Sequence, residues 1–277
     1  MACDSPLYVL KKGRTESVPV PCGSCPPCQR RRIDGWVFRL QQEIKRSEYS
    51  YFVTLTYDTR FVPITANGFM TLHKPDLQKF FKRLRHNTGF RIKYYAVGEY
   101  GSTRKRPHYH LILFSDGCAI EEIRKAWPLG SVHVGQVTSD SIAYTLKYIE
   151  KKTGSKQHKR DDRLKEFSLM SKRLGDNYLT DQIISYHNQT LADNMYLVRE
   201  GGYKVAMPRY YRERIFDEDT RDLQHDVISN RVKSALRKEE IEFSQNYPDQ
   251  DFLAFKDGQK FARYKKFLSS RKKRSDL

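Results

Sequence analysis

Apolar and polar positions recur along this chain in blocks that predict its elements. Tyr51–Tyr57 alternates with period two and predicts a strand, with Val53, Leu55 and Tyr57 on one face and Phe52, Thr54 and Thr56 on the other. Trp36, Val37, Leu40 and Ile44 form one stripe of a helix over Asp34–Lys45. His73–Asp76, with Pro75 in the first turn, opens a second helix. Leu77, Phe80, Phe81 and Leu84 are its inner face. Strands follow at Arg91–Val97 and His108–Phe114, joined by a turn-rich loop over Gly98–Pro107. A short helix is expected at Ile120–Trp127, a strand at Ser131–Val137, and a helix at Ser139–Lys152. Further on the pattern predicts a hairpin over Tyr196–Met207 around Gly201-Gly202 and a charged helix over Asp219–Phe243. Ser270–Leu277 reads as a frayed basic tail.

This order places a hairpin inside a run of strands that alternate with helices. It predicts an α+β fold, a central antiparallel sheet of about five strands flanked by helices. Residues 1–30 form a cysteine-rich N-terminal arm, 31–155 the core and 156–216 an extension. Residues 217–277 form a helical, basic C-terminal region. The charged stretch Lys151–Arg163 reads as a linker or loop.

Charge changes the picture. Lys and Arg number 51 against 33 Asp and Glu, a net charge of +18 over 277 residues. Such a surplus calls for a polyanionic partner. No stretch approaches the roughly 18 continuous apolar residues of a membrane span, and no membrane partner is expected. The N-terminus lacks the apolar core of a signal peptide, and five cysteines fit a secreted disulfide framework poorly. A reducing cell interior is the expected setting.

His108 and His110 lie two apart on a strand, so their imidazoles share a face. Tyr109 is expected to point to the packed side with Ile112. With 8 histidines in the chain, chance supplies roughly 0.2 such pairs, and a hydrogen-bonded pair is the plain alternative. Glu99, nine residues upstream, adds a carboxylate if 91–97 and 108–114 form a hairpin. One carboxylate and two imidazoles suit Mn²⁺ or Mg²⁺ and could hold Zn²⁺.

Tyr144 and Tyr148 are stacked one turn apart on the predicted helix, each followed three residues later by a lysine, Lys147 and Lys151. A phenol attacks phosphorus only when its charge is compensated, and a nearby ammonium does that. The alternative is aromatic packing of a helix on the sheet. Cys22, Cys25 and Cys28, with Cys3 as a fourth ligand, suit structural Zn²⁺; reduced thiols or an iron–sulfur cluster are the alternatives. Basic clusters at Arg30–Arg32, at Lys79, Lys82 and Arg83, and at Arg104, Lys105 and Arg106 are candidate DNA contacts. Tyr94, Tyr95 and Tyr100 between them are candidate stacking platforms for unpaired bases.

Phe52-Val-Thr-Leu-Thr-Tyr57, His108-Tyr-His110 and Tyr144-x-x-Lys-Tyr148-x-x-Lys151, in that order, resemble the three motifs of HUH endonucleases that initiate rolling-circle replication. Cys22-Gly-Ser-Cys25-Pro-Pro-Cys28, Gly98-Glu-Tyr-Gly101, Arg106-Pro-His-Tyr-His110, Phe167-Ser-Leu-Met-Ser171 and Met207-Pro-Arg-Tyr-Tyr211 resemble microvirus initiators of the gokushovirus type. The similarity spans about residues 3–216. It implies an HUH-like sheet with the histidines on a middle strand and the tyrosines on a facing helix. Glu99, His108 and His110 would hold the divalent metal. Tyr144 or Tyr148 would nick origin DNA, leaving a 5′-phosphotyrosyl bond and a free 3′-OH, and strands would later be rejoined. It also implies single-stranded origin DNA, the host replication helicase and polymerase as partners, and the bacterial cytoplasm as the site of action. A plasmid relaxase, a tyrosine transposase or a non-catalytic zinc-bearing DNA-binding protein are the competing readings.

Overall fold

A computed structural model describes residues 3–10, 15–118, 120–147, 159–191, 193–199 and 201–275, with side chains to residue 269. The chain forms two compact units, Trp36–Tyr178 and Met1–Gly35 with Leu179–Leu277.

In chain order, hairpin strands β1 (Leu7–Leu10) and β2 (Ser17–Val20) precede helix α1 (Pro26–Arg46). The helix therefore starts eight residues before the expected Asp34, inside the cysteine motif. Pro26 and Pro27 suit a first turn, whose N–H groups have no intrahelical partner. Strands β3 (Tyr49–Tyr57), β4 (Ile92–Tyr100), β5 (Pro107–Ser115), β6 (Gly130–Gln136) and β7 (Phe167–Met170) make an antiparallel sheet in the order β6-β3-β5-β4-β7. Helix α2 (Lys74–Thr88) follows β3, α3 (Ile120–Lys125) follows β5 and α4 (Ser139–Leu146) follows β6. The α+β sheet with flanking helices is the architecture the pattern predicts.

One face of the sheet carries Val53, Leu55, Tyr57, Ala96, Tyr109, Leu111 and Leu113, all buried. Leu77, Phe80, Phe81 and Leu84 of α2 pack there with Ile123, Ala126 and Trp127. Burying a side chain of this size contributes about 1.5–3 kcal/mol, and the cluster holds α2 and α3 on this face. Tyr109 also reaches α2: its hydroxyl accepts from His73 N at 2.9 Å and donates to His73 O at 3.0 Å. The side chain between the two histidines thus fastens the start of that helix.

The opposite face carries Phe52, Thr54, Glu99, His108, His110 and Ile112. Ile112 pairs with Phe52 and Tyr95, so it lies on the histidine face and not with Tyr109 as expected; odd and even positions part company along a strand. Trp36 of α1 packs edge-on against Tyr95, ring centroids 4.9 Å apart. Phe38 and Leu40 are buried on α1, whereas Val37 and Ile44 of the expected stripe are only half-buried.

In the other unit, α5 (Asp181–Asn188), β8 (Tyr196–Val198), β9 (Lys204–Ala206), α6 (Arg209–Ile215), α7 (Glu218–Asn246) and α8 (Phe252–Ser275) follow. The expected hairpin forms as β8–β9, with Gly201 and Gly202 at positive φ in its turn. Phe243 joins α7 to α8 by stacking on Phe255 at 4.6 Å. α8 runs to Ser275, so the backbone expected to fray is helical.

Candidate metal centre and nucleophile

The β4–β5 ladder builds the site. Glu99 lies directly opposite His108 and Val97 opposite His110. Glu99 is a strand residue, not part of a loop as expected, because β4 runs on to Tyr100. The true loop is short and closed by Gly101 N donating to Arg106 O at 3.0 Å.

Glu99 Oε1 lies 2.8 Å from His108 Nε2 and 2.8 Å from His110 Nε2. It also accepts from the Tyr144 hydroxyl at 2.9 Å. Oε2 of the same carboxylate is buried with no hydrogen-bond partner. A carboxylate that is 3% exposed with one oxygen crowded and the other unmet is a group short of a partner. The ligand atoms of Glu99, His108 and His110 lie within 4.8 Å of one another. This mixed oxygen and nitrogen set, with a spare buried oxygen, fits a divalent cation.

Burial raises the Glu99 carboxyl, yet the hydrogen bonds and charges of the two histidines hold it well below the usual carboxylate range. Burial lowers His110, against the opposing pull of Glu99. Burial, then the charge of Glu99, raises the Tyr144 phenol.

Tyr144 comes from α4, whose N-terminus is fixed by a capping box between Thr138 and Ser141. Its hydroxyl is 3.4 Å from His110 Nε2, and Lys147 Nζ sits 3.5 Å from the centre of its ring. The structure thus brings Tyr144, Lys147, Glu99, His108 and His110 together. Tyr148 and Lys151, and the end of the helix expected over 139–152, lie outside the described residues.

Two further residues were not singled out by sequence reasoning. Phe52 stacks on the His110 ring, interplanar angle 1° at 5.7 Å, and Thr54 Oγ1 lies 2.9 Å from His110 Nδ1. Both belong to the Phe52–Tyr57 segment, whose alternation already put them on one face.

The expected DNA contacts are scattered. α2, with exposed Lys79 and Lys82, packs on the face opposite the histidines, and Arg83 donates to Ala126 O at 2.8 Å. Arg106 is engaged by Tyr57 O at 2.6 Å. Arg104 is exposed at the hairpin turn beside the half-buried Lys105. Tyr95 is buried and Tyr94 stacks on Phe81 at 3.4 Å, so these two serve the fold and not as base platforms. The Tyr100 hydroxyl accepts from Leu72 N at 3.1 Å and donates to Leu164 O at 2.6 Å.

In the other unit the Sγ atoms of Cys3, Cys22, Cys25 and Cys28 lie within 4.8 Å of one another, a set able to hold a metal. Cys22 N donates to Cys3 Sγ at 3.3 Å, and Ser24 N and Cys25 N donate to Cys22 Sγ at 3.4 and 3.3 Å. Burial raises Cys22, but these donors bring it down to about 6. Cys118 is a separate buried thiol.

Residues 50–153 match a family model of replication-associated proteins of the ORF2 type. The chain is 28% identical over 272 residues to Replication-associated protein ORF2 of Spiroplasma virus 4, covering 89% of this chain and 84% of that protein. It is 28% identical over 234 residues to Replication-associated protein VP4 of Bdellovibrio phage phiMH2K, covering 75% and 71%. With Replication-associated protein ORF4 of Chlamydia phage 1 it shares 26% over 253 residues, covering 80% and 59%. The matched segment contains Thr54, Glu99, His108, His110, Tyr144 and Lys147. By sequence, then, the chain is similar over most of its length to phage replication-associated proteins, with residues 50–153 matching the ORF2-type family, in keeping with the initiator resemblance of its motifs.

Proposed function

We propose that this chain is a replication initiator that nicks single-stranded or unwound DNA at an origin and later rejoins the strands. The observation that carries the reading is the Tyr144 hydroxyl 2.9 Å from a carboxylate that also meets two imidazoles. The phenol oxygen bonds to phosphorus and the bond from phosphorus to the 3′ oxygen breaks. The phenol proton passes to Glu99 Oε1, and the departing 3′ oxygen takes a proton back. Products are a 5′-phosphotyrosyl bond and a free 3′-OH for a polymerase. Lys147 over the ring compensates the phenolate charge. Glu99, His108 and His110 would hold Mn²⁺ or Mg²⁺, which polarises the scissile phosphate. Tyr148 and Lys151, by the motif, would supply the second cleavage. The host helicase and polymerase would extend the 3′-OH in the bacterial cytoplasm. Among the described residues no helix is long and apolar enough to cross a membrane.

The test is incubation of the full chain with a single-stranded origin oligonucleotide and Mn²⁺, followed by a denaturing gel. A covalent adduct is expected from wild type. Tyr144→Phe is expected to slow its formation at least about 100-fold, by loss of the nucleophile. Adduct from Tyr144→Phe/Tyr148→Phe at the wild-type rate rejects the tyrosine assignment.

For the cysteines we infer zinc. Tetrahedral Zn–S bonds of about 2.3 Å place sulfurs about 3.8 Å apart, and Cys3 and Cys25 are 3.7 Å apart. Elemental analysis is expected to find about one zinc per chain, absent in Cys25→Ser. Equal zinc in both proteins would remove the assignment.

A further inference from the structure

Two ring nitrogens at the centre face away from Glu99, and their partners differ in kind. His108 Nδ1 lies 3.1 Å from the backbone carbonyl of Arg106. A carbonyl only accepts, so that nitrogen carries its proton and the tautomer is fixed. His110 Nδ1 instead lies 2.9 Å from Thr54 Oγ1. A hydroxyl both donates and accepts, so this contact leaves both tautomers satisfied.

Thr54 stands directly opposite His110 in the β3–β5 ladder. Its strand has β5 on one side and β6 on the other, so its backbone is held from both edges. The hydroxyl cannot leave, but it can rotate. Phe52, on the same face, stacks flat on the His110 ring and limits its tilt. Thr54 and Phe52 together leave His110 one ring position with two proton placements.

We propose that Thr54 is a positioning residue for the metal centre. It accepts the Nδ1–H of His110 when Nε2 offers its lone pair to a cation, and donates to Nδ1 when the proton sits on Nε2 facing Glu99. The proposal rests on the metal reading above. A valine fills the same space with the same β-branching but can do neither. It would leave a buried Nδ1–H unmet in the cation-bound state, a cost carried by the cation affinity. A serine keeps both functions. Thr56 is the internal control: it stands opposite His108 on the same face, and among the described residues its side chain bonds to neither ring.

The experiment measures Mn²⁺ affinity of the full chain from the electron paramagnetic resonance signal of free Mn²⁺. Thr54→Val is expected to bind about tenfold or more weakly, the usual effect of losing an outer-shell partner of a ligating histidine. Thr54→Ser is expected within about twofold of wild type, and Thr56→Val unchanged. Nitrogen-15 spectra of the Mg²⁺-loaded chain supply a second readout: His110 protonated at Nδ1 in wild type, and a tautomer mixture in Thr54→Val. Circular dichroism checks the fold; if Thr54→Val unfolds, Thr54→Ala replaces it. Thr54→Val binding Mn²⁺ as tightly as wild type overturns this proposal alone, as does Thr54→Ser binding as weakly as the valine. A wild-type chain that binds no Mn²⁺ overturns the metal reading and this proposal together.

Discussion

Glu43 and Glu99 are both buried carboxylates of the sheet-bearing unit, and their partners give them opposite work. Glu43 is fully met: Arg46 at 2.8 Å and Arg91 at 3.2 Å on one oxygen, Lys93 at 3.2 Å and Gly175 N at 2.8 Å on the other. Glu99 has one oxygen unmet. The first set ties α1 to β4 and to the turn after β7; the second awaits a cation. Burial raises Glu43, but Gly175 N, Arg46 and Lys93 outweigh it and hold the carboxyl low. A carboxyl lowered on folding stabilises above its unfolded value, near 4.3, and that stability drains away as pH falls through the folded value. Urea unfolding between about pH 3 and 7 is therefore expected to show an acid slope that Glu43→Gln flattens. The substitution itself should cost about 3 kcal/mol at neutral pH, since it leaves buried cations short of charge. An unchanged acid slope would show that other carboxylates dominate. At this scale Glu99 was legible from its spacing to His108, because a hairpin turns a sequence interval into a cross-strand pair. Thr54 was not, because a threonine in a strand looks the same whether it packs or bonds to an imidazole.

Among elements, α2 was the most legible, since its four inner residues keep helical spacing and no others compete. β4 was read three residues short because Gly98 and Gly101 signal a turn. Gly98 is in fact needed within the strand: a Cβ there would lie 3.0 Å from Leu72 Cδ2 and 3.2 Å from Tyr109 Cδ1. α1 was read late because two prolines beside three cysteines look like an arm. Gly130 opens β6 against the end of β3, where a Cβ would stand 2.1 Å from Thr56 O and 2.4 Å from Asp58 N. Both are backbone atoms that cannot move alone. Gly130→Ala is expected to cost about 3 kcal/mol or more, from overpacking, and to part β6 from β3. Thermal melts of the two proteins check this; equal midpoints would mean the strand end is free to shift.

For the whole molecule, the charge of +18 supports DNA as partner, but position matters as much as number. Lys79 and Lys82 lie behind the sheet, away from the histidine face. Lys79→Glu/Lys82→Glu is expected to lower the salt dependence of binding to long DNA by about two phosphate contacts. Cleavage of a short origin oligonucleotide should be unaffected. Filter binding across salt concentrations and the adduct gel read the two effects; a matching loss in both assays would put α2 on the path of the cleaved strand. Sequence alone could not reveal this, because a basic face looks the same on either side of a sheet.

The centre's ligands come from neighbouring strands in the middle of the five-stranded sheet, not from loops. Their amides are locked into the same ladder that holds the core together. Amide hydrogens at 97–99 and 108–112 should therefore exchange with solvent only when the whole unit opens, on the slowest timescale the protein has. The α4 segment that brings Tyr144 is joined to the sheet through fewer bonds and should open sooner. The part of the machine that grips phosphate is as durable as the fold, and the part that makes and breaks the covalent bond is the part free to move.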